Sequence, residues 1–245
     1  MRFARWEVVL LVVAAVVFFV WTRVAAAPSI HDYARVHGGR MIWAPLARVF
    51  AEAGNGDILL FASPRNKVVR YFTGSPFTHV AMVVRDRPPG GSGGADVAYV
   101  WDVDLGQGCR SGARVVTLSD KLSRMAVGAG GVGIAGWKRL TSPRPSTPRL
   151  LAVIAKYLSR GMDRLFLRWV ACRLFGAAVG GGSGGHMFCS EAIARTSQDL
   201  GLFHASTPAA RYAPCDWHKN DLDLAPGAAY GPTEFFRFEP KSFPG

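Results

Sequence analysis

A histidine and a cysteine in this chain have the residue types of a thiol acyl-transfer catalyst. His79 begins an apolar run within Phe77-Thr78-His79-Val80, and Cys189 begins a helical pattern within Phe188-Cys189-Ser190-Glu191. An imidazole can take the proton of a thiol and leave a thiolate, the attacking group of cysteine hydrolases. This chemistry requires that two segments 110 positions apart in the sequence meet in space.

The position of Cys189 is compatible with a reactive thiol and with a structural cysteine. From this residue onwards Ala192, Ile193, Thr196 and Leu200 share one helical face, and Gly201 follows as a stop signal. A thiol in the first turn of a helix feels the positive end of the dipole and the exposed amides, and both lower its pKa. The alternative is a buried structural cysteine that packs as a small hydrophobic residue, and position alone leaves both open.

Short apolar runs between turn residues predict a small, mostly antiparallel sheet. Buried strands of this kind are rich in Val, Ile and aromatic residues and are bounded by Gly, Pro, Asn or Asp. The predicted strands are Gly56–Phe61, Thr78–Val84, Val97–Val103, Arg114–Leu118 and Val132–Trp137. With the helices described next, they predict an α+β domain.

Two further helices are predicted outside the cysteine segment. A polar linker from residue 28 precedes the first, Met41–Ala53, with Gly54 as its stop. The second begins at Thr147-Pro148, a cap residue followed by a first-turn proline. Its apolar stripe comprises Leu151, Ile154, Leu158, Met162, Leu165 and Trp169, and its basic face comprises Arg160, Arg164 and Arg168. That basic face is either solvated or in contact with a membrane surface.

The composition of residues 1–27 predicts a membrane-targeting or membrane-anchoring segment. Val8 to Trp21 are fourteen uninterrupted apolar positions preceded by Arg2 and Arg5. This run is shorter than the roughly 20 residues of a span, although it extends to Ala27 if Arg23 lies at the interface. Ala25-Ala26-Ala27 also has the small residues of a signal cleavage site, followed by Pro28, which disfavours cleavage. A retained anchor and a cleaved signal both remain open.

The charge balance narrows the classes of partner. The formal net charge is +12, of which residues 1–27 contribute +2, so the remainder carries +10. A strongly basic chain favours phospholipid headgroups, nucleic acid or acidic polymers. No zinc-finger spacing, basic heptad or aromatic-basic RNA motif accompanies the charge, so no specific nucleic acid is expected. The spacing of Cys109, Cys172 and Cys215 predicts no metal site, and pairing of Cys109 with Cys215 is open.

Three ordered motifs resemble the permuted NlpC-like branch of the papain-like cysteine hydrolases, with YiiX-like proteins and large-DNA-virus relatives nearest in pattern. The motifs are Gly56-Asp57-Ile58-Leu59-Leu60-Phe61, Phe77 to Val84, and Phe188-Cys189-Ser190-Glu191-Ala192-Ile193. In that branch the histidine strand precedes the nucleophile helix, which inverts the order of papain. The likeness covers roughly residues 54–215 and implies a circularly permuted papain-like fold for the domain 54–245, behind segments 1–27 and 28–53.

Position by position, the resemblance implies Cys189 as the nucleophile and His79 as the general base. A third polar residue on the next strand orients the imidazole. Asp102 is the choice here, because it falls where relatives often carry glutamate, while Asp104 shares the strand face and remains open. Asp57 is interpreted as a turn or backbone-capping residue. His186, three residues before the nucleophile, is interpreted as a solvated loop histidine.

The resulting prediction is a membrane-associated cysteine hydrolase or acyltransferase that cleaves an amide or ester through an acyl-enzyme, with no cofactor and no metal. Its expected partners are a membrane lipid surface and a peptide or lipid acyl substrate. If the first segment is cleaved, the protein is expected to be secreted or part of a virion. The alternative is a catalytically inactive structural membrane or virion protein that retains the hydrolase fold.

Overall fold

The computed structural model describes residues 14, 18, 22, 27, 29–63, 67–86, 97–104, 112–128, 132–162, 185–220 and 222–239. Some of the predictions fall outside these residues. They concern most of the N-terminal segment, Cys109, Cys172, the glycine-rich stretch 176–184, and the part of the long predicted helix from 163 onwards. Within residues 1–27, Ala14, Phe18 and Thr22 are helical and exposed.

The described residues form seven α-helices and nine strands. The helices are α1 (Ile30–His37), α2 (Leu46–Glu52), α3 (Lys67–Thr73), α4 (Leu118–Gly128), α5 (Thr147–Ala155), α6 (Cys189–Asp199) and α7 (Pro214–Lys219). The strands are β1 (Ile42–Trp43), β2 (Ile58–Phe61), β3 (His79–Asp86), β4 (Val97–Asp104), β5 (Gly112–Thr117), β6 (Gly133–Leu140), β7 (Gly161–Met162), β8 (His186–Met187) and β9 (Tyr230–Phe238).

Seven of these strands form one mostly antiparallel sheet in the order β1-β9-β6-β2-β3-β4-β5. The pair β1–β9 is parallel and the other five pairs are antiparallel. The pair β7–β8 forms a separate two-stranded parallel sheet. The predicted α+β class and mostly antiparallel sheet are therefore confirmed, and all five predicted strands are present.

The sheet is covered by helices on both faces, which explains why its central strand, β2, is apolar at every position. Ile58 and Leu60 of β2 belong to one core, and Leu59 and Phe61 belong to the other. All four are fully buried. Helices α5 and α6 pack against β3 on the first face, and α4 packs against β4 and β5. Because Leu118 and Leu122 of α4 belong to the second core, α4 lies opposite α6.

The first predicted helix differs from the observed one at its start. Ile42 and Trp43 pair with β9 as strand β1, and the helix begins at Leu46 after Pro45, its N-cap residue. Proline fits a helix start because its fixed φ suits the first turn and no intrahelical bond is lost. The predicted linker also contains α1, which begins with a capping box between Ser29 and Asp32. That box is readable from sequence and was missed.

The prediction of one long helix from 148 to 169 is wrong. Helix α5 ends at Ala155, a series of turns follows, and Gly161 enters strand β7. The amide of Gly161 donates to Gly185 O at 2.6 Å, and a Cβ there would lie 2.5 Å from the His186 ring. Gly161 therefore pairs with β8, which is distant in the sequence, and this pairing replaces the helix that the local pattern predicts.

In the part of the chain that the structure describes, no helix combines the length and the apolar character that crossing a bilayer requires.

Candidate active site

His79 lies at the start of β3, between the thiol of Cys189 and a buried group of charged side chains. Its position follows from the strand register, in which His79 pairs with Phe61 of β2. Its Nε2 atom lies 3.1 Å from Asp102 Oδ2. The ring also interacts with the Cys189 thiol. Because Nε2 is engaged by Asp102, Nδ1 is the nitrogen available to the sulfur.

Cys189 is the first residue of α6, and its thiol interacts with the Val80 amide, which lies next to the histidine in the chain. The N-cap residue, Phe188, has no side-chain acceptor, so it cannot cap the amides of the first turn. Helix α6 is held to the sheet by Trp101 Nε1, which donates to Thr196 Oγ1 at 3.1 Å. The structure thus brings the thiol to the imidazole through the docking of one helix on β3 and β4.

The electrostatics of this pair favour a thiolate and an imidazolium. Burial raises the pKa of the Cys189 thiol, but the charge and hydrogen bond of His79 and the Val80 amide outweigh it, so the pKa lies below its ordinary value. Burial and Lys121 lower the pKa of His79, whereas the charge of Cys189 and the Asp102 hydrogen bond raise it, to about 9 overall. Each charged partner therefore stabilises the ionised form of the other.

Of the two candidate aspartates, Asp102 is the one that contacts the imidazole. Its side chain is fully buried on β4, whereas that of Asp104 is about one-third exposed. Burial raises the pKa of Asp102, but Lys121 and His79 together hold it far below the usual range. Asp104 follows the same pattern with a pKa lowered to about 2. Of the two aspartates that the sequence left open, Asp102 therefore has the position from which a carboxylate can orient the imidazole.

Two cations of this site were missed by the sequence analysis. Lys121 of α4 donates from Nζ to Asp102 and, at 2.9 Å, to Asp104, and it lies 3.1 Å from His79 Nε2. Arg114 of β5 contacts Asp102 at 3.2 Å and Asp104 at 2.7 Å.

Both cations have a signal in the sequence. Lys121 lies on the apolar stripe of α4 with Leu118, Leu122 and Met125, where a lysine is out of place unless it is paired. Arg114 lies directly opposite Asp102 in the β4–β5 register. A cross-strand pair of opposite charges is a recognised stabilising arrangement, but it is visible only once the register is known.

The acidic side of the site also has the ligand types of a cation site. Atoms of His79, Asp102 and Asp104 lie within 4.8 Å of one another. The Lys121 ammonium donates to both carboxylates. An internal lysine thus supplies the positive charge that these carboxylates require.

Two further residues from the sequence analysis lie away from this cluster. Asp57 is fully buried and accepts hydrogen bonds from the Gly54 and Leu140 amides and from Trp137 Nε1, at 2.9–3.0 Å. Its interpretation as a backbone-capping residue is confirmed. His186 is exposed on β8 and pairs with Gly161, so it belongs to a strand and not to a loop.

No protein-family model and no curated protein matches this chain.

Proposed function

We propose that this protein is a cysteine hydrolase or acyltransferase of the permuted papain-like kind, with Cys189 as nucleophile, His79 as acid–base and Asp102 as the residue that orients the imidazole. One observation carries the proposal: the His79 imidazole interacts with the Cys189 thiol on one side, and on the other its Nε2 atom lies 3.1 Å from the Asp102 carboxylate. In support, the histidine strand precedes the nucleophile helix along the chain, as in the family that the motifs resemble.

The proposed reaction begins from the thiolate–imidazolium pair. The Cys189 thiolate attacks the carbonyl carbon of an amide or ester, and the oxygen becomes an oxyanion. The Cys189 amide at the start of α6 is one donor for that oxyanion. His79 donates its proton to the leaving amine or alcohol as the carbon–heteroatom bond breaks, which leaves a thioester. Neutral His79 then takes a proton from water, or from an acceptor alcohol or amine, and the attack releases the thiolate and the acyl product.

We further propose that the substrate lies at a membrane or another anionic surface. Val36 of α1 and Val68 and Phe72 of α3 are between 41% and 71% exposed. Arg70 of α3 interacts electrostatically with Asp32 of α1, which indicates that the two helices are neighbours. Exposed apolar side chains on a chain of net charge +12 have the composition of an interfacial surface. A peptide or lipid acyl group at such a surface is the proposed substrate class.

The decisive experiment measures covalent labelling at each cysteine. The full chain is treated with iodoacetamide and with p-nitrophenyl acetate, and the modified cysteines are identified by mass spectrometry. We expect Cys189 to react at least tenfold faster than Cys215, which is 2% exposed. His79→Ala is expected to remove the difference, and Cys215→Ala serves as the matched control.

The opposite result supports the alternative function. If Cys189 reacts no faster than Cys215 and His79→Ala changes nothing, the fold belongs to an inactive structural membrane or virion protein. Location is tested by cosedimentation with phosphatidylserine vesicles, with phosphatidylcholine vesicles as the comparison. We expect selective binding to the anionic vesicles, weakened by salt and by Phe72→Ser. Equal recovery with both vesicle types contradicts the anionic-surface proposal.

A further inference from the structure

Lys121 is a buried cation next to the acid–base residue of the proposed reaction. The Lys121 side chain is only 1% exposed, and its neighbours on α4, Leu118 and Leu122, belong to the apolar core. Its Nζ atom contacts Asp102, Asp104 and the Nε2 atom of His79. Burying an ammonium group is costly unless it is paired, so the two carboxylates account for its location. They do not account for its position 3.1 Å from a ring that must change its charge during catalysis.

The charges around His79 are balanced in the resting enzyme. Lys121 and Arg114 offset Asp102 and Asp104, and the Cys189 thiolate offsets the imidazolium. Acylation removes the negative charge of the sulfur, because a thioester is neutral. The imidazole then faces the Lys121 ammonium without the thiolate that favoured its protonated form. The surroundings of His79 therefore become more positive at the point where the ring must be neutral.

We propose that Lys121 is a positioning residue that keeps His79 in its neutral form once Cys189 is acylated, and so sets the rate of deacylation. The inference rests on the proposed thiol acyl transfer. It assigns Lys121 a role through the histidine and no contact with the substrate. Asp102 and Asp104 hold the ammonium in place, and its rigidity on α4 keeps the charge at a fixed distance from the ring.

The influences on the histidine agree with this geometry. Burial and Lys121 lower the pKa of His79, and the charge of Cys189 is the largest influence that raises it. When the thiolate becomes a thioester, the influences that lower the pKa persist and that largest opposing one is lost. The proton of His79 leaves with the departing amine or alcohol. The ring then accepts a proton from water as hydroxide attacks the thioester carbonyl, and the thiolate departs with the electron pair of the carbon–sulfur bond.

The experiment separates acylation from deacylation with p-nitrophenyl acetate on the full chain. Release of p-nitrophenol reports both, first as a burst and then as a steady state. In Lys121→Met we expect the burst to persist while the steady-state rate at pH 7 falls at least tenfold. The rising limb of the deacylation rate is expected to move to higher pH by about 1 unit or more. Lys121→Arg keeps the charge and is expected to restore much of the rate.

The matched control is Arg124→Met, which removes an exposed cation from the same helix three residues later. We expect its burst, steady state and pH profile to equal those of the wild type. A purely structural role for Lys121 predicts that burst and steady state fall together with an unchanged pH limb, and that result overturns the inference. Absence of a Cys189-dependent burst in the wild type overturns the proposed function instead.

If Lys121→Met does not fold, Asp104→Asn provides the test in the opposite direction. This variant keeps the lysine and removes a nearby negative charge that interacts with His79. The deacylation limb is then expected to move to lower pH. A limb that stays in place, or that moves to higher pH, contradicts the assigned role of charge around the histidine.

Discussion

Asp57 and Asp102 are both fully buried, yet their pKa values are shifted in opposite directions. Asp57, at the turn before β2, is bonded by backbone amides and an indole, with Arg144 3.0 Å away. Burial there outweighs the donors, so the pKa of Asp57 is raised. Asp102, at the end of β4, is bonded by His79, Lys121 and Arg114, and its pKa is lowered. One carboxylate fixes a loop, and the other lies among groups that can change charge.

The difference shows that the partners of a buried carboxylate indicate its role better than its burial does. Backbone amides and an indole do not titrate near neutral pH, so Asp57 cannot pass a change in charge to another group. An imidazole does titrate there, and it links Asp102 to the thiol. The two aspartates therefore make different predictions for activity and for stability.

The largest expected effect is on activity in Asp102→Asn. An amide in place of the carboxylate cannot stabilise the imidazolium and favours the wrong tautomer of His79, so we expect kcat/KM to fall about 10²- to 10⁴-fold. The measurement is hydrolysis of p-nitrophenyl acetate by protein shown to be folded by circular dichroism. Similar losses in Asp57→Asn and Asp102→Asn would erase the distinction between the two residues.

The second effect is on stability in Asp57→Asn. The substitution leaves two donors facing an amide nitrogen in the core, so we expect a loss of roughly 1–3 kcal/mol in the free energy of unfolding. Urea unfolding measures this loss, and kcat/KM of the folded fraction is expected to stay within about threefold of wild type. An activity loss beyond the unfolded fraction would place Asp57 in the catalytic machinery.

The third effect is on the pH dependence of the thiol. The pKa of Cys189 lies below its ordinary value of 9.0 and that of His79 is raised to about 9, so the ion pair persists in the window between them. Alkylation of Cys189 by iodoacetamide is expected to be fast already below pH 9, because the pKa of the thiol is lowered. In His79→Ala the rise of the alkylation rate with pH is expected to move to higher pH. Burial raises the pKa of the thiol, and in this variant no imidazolium lowers it. Asp57→Asn leaves that rise in place, and a shift there would contradict its structural role.

The smallest effect is expected in Asp104→Asn, which separates Asp104 from Asp102. The residue contacts Lys121 and Arg114, with about one-third of its side chain exposed, so kcat/KM is expected to change less than about tenfold. Its pKa is lowered from 3.8 to about 2, so its contribution to stability is present above 3.8 and is lost as pH falls through about 2. Urea titrations between pH 2 and 4 are expected to show a flatter pH dependence in the variant. A larger activity loss than in Asp102→Asn would reverse the assignment.

Local patterns predicted the strands and the helix of Cys189 well. Apolar runs such as Ile58–Phe61 mark strands that are buried on both faces, and the helical periodicity after Cys189 corresponds to an observed helix, α6. The same patterns failed at Gly161 and at Ile42, where pairing with a distant strand decided the structure. Long-range pairing of this kind has no local signature.

The candidate site was predictable only in part, and for a similar reason. His79, Asp102 and Cys189 follow from motifs in the chain, and the structure brings all three together. Lys121 and Arg114 belong to no motif. Their role depends on the β4–β5 register and on the face that α4 presents, which are properties of the assembled fold.

The order of the site residues along the chain has a consequence for protein synthesis. His79, Asp102, Arg114 and Lys121 all precede Cys189, the last of them by 68 residues. At roughly 5–20 residues per second, translation leaves an interval of about 3 to 14 s between the two positions. His79 and its charged neighbours are thus made before Cys189, and the thiol interacts with His79 and Val80 only when α6 docks on the sheet. In a growing chain, the pKa of this thiol is therefore lowered only after that docking.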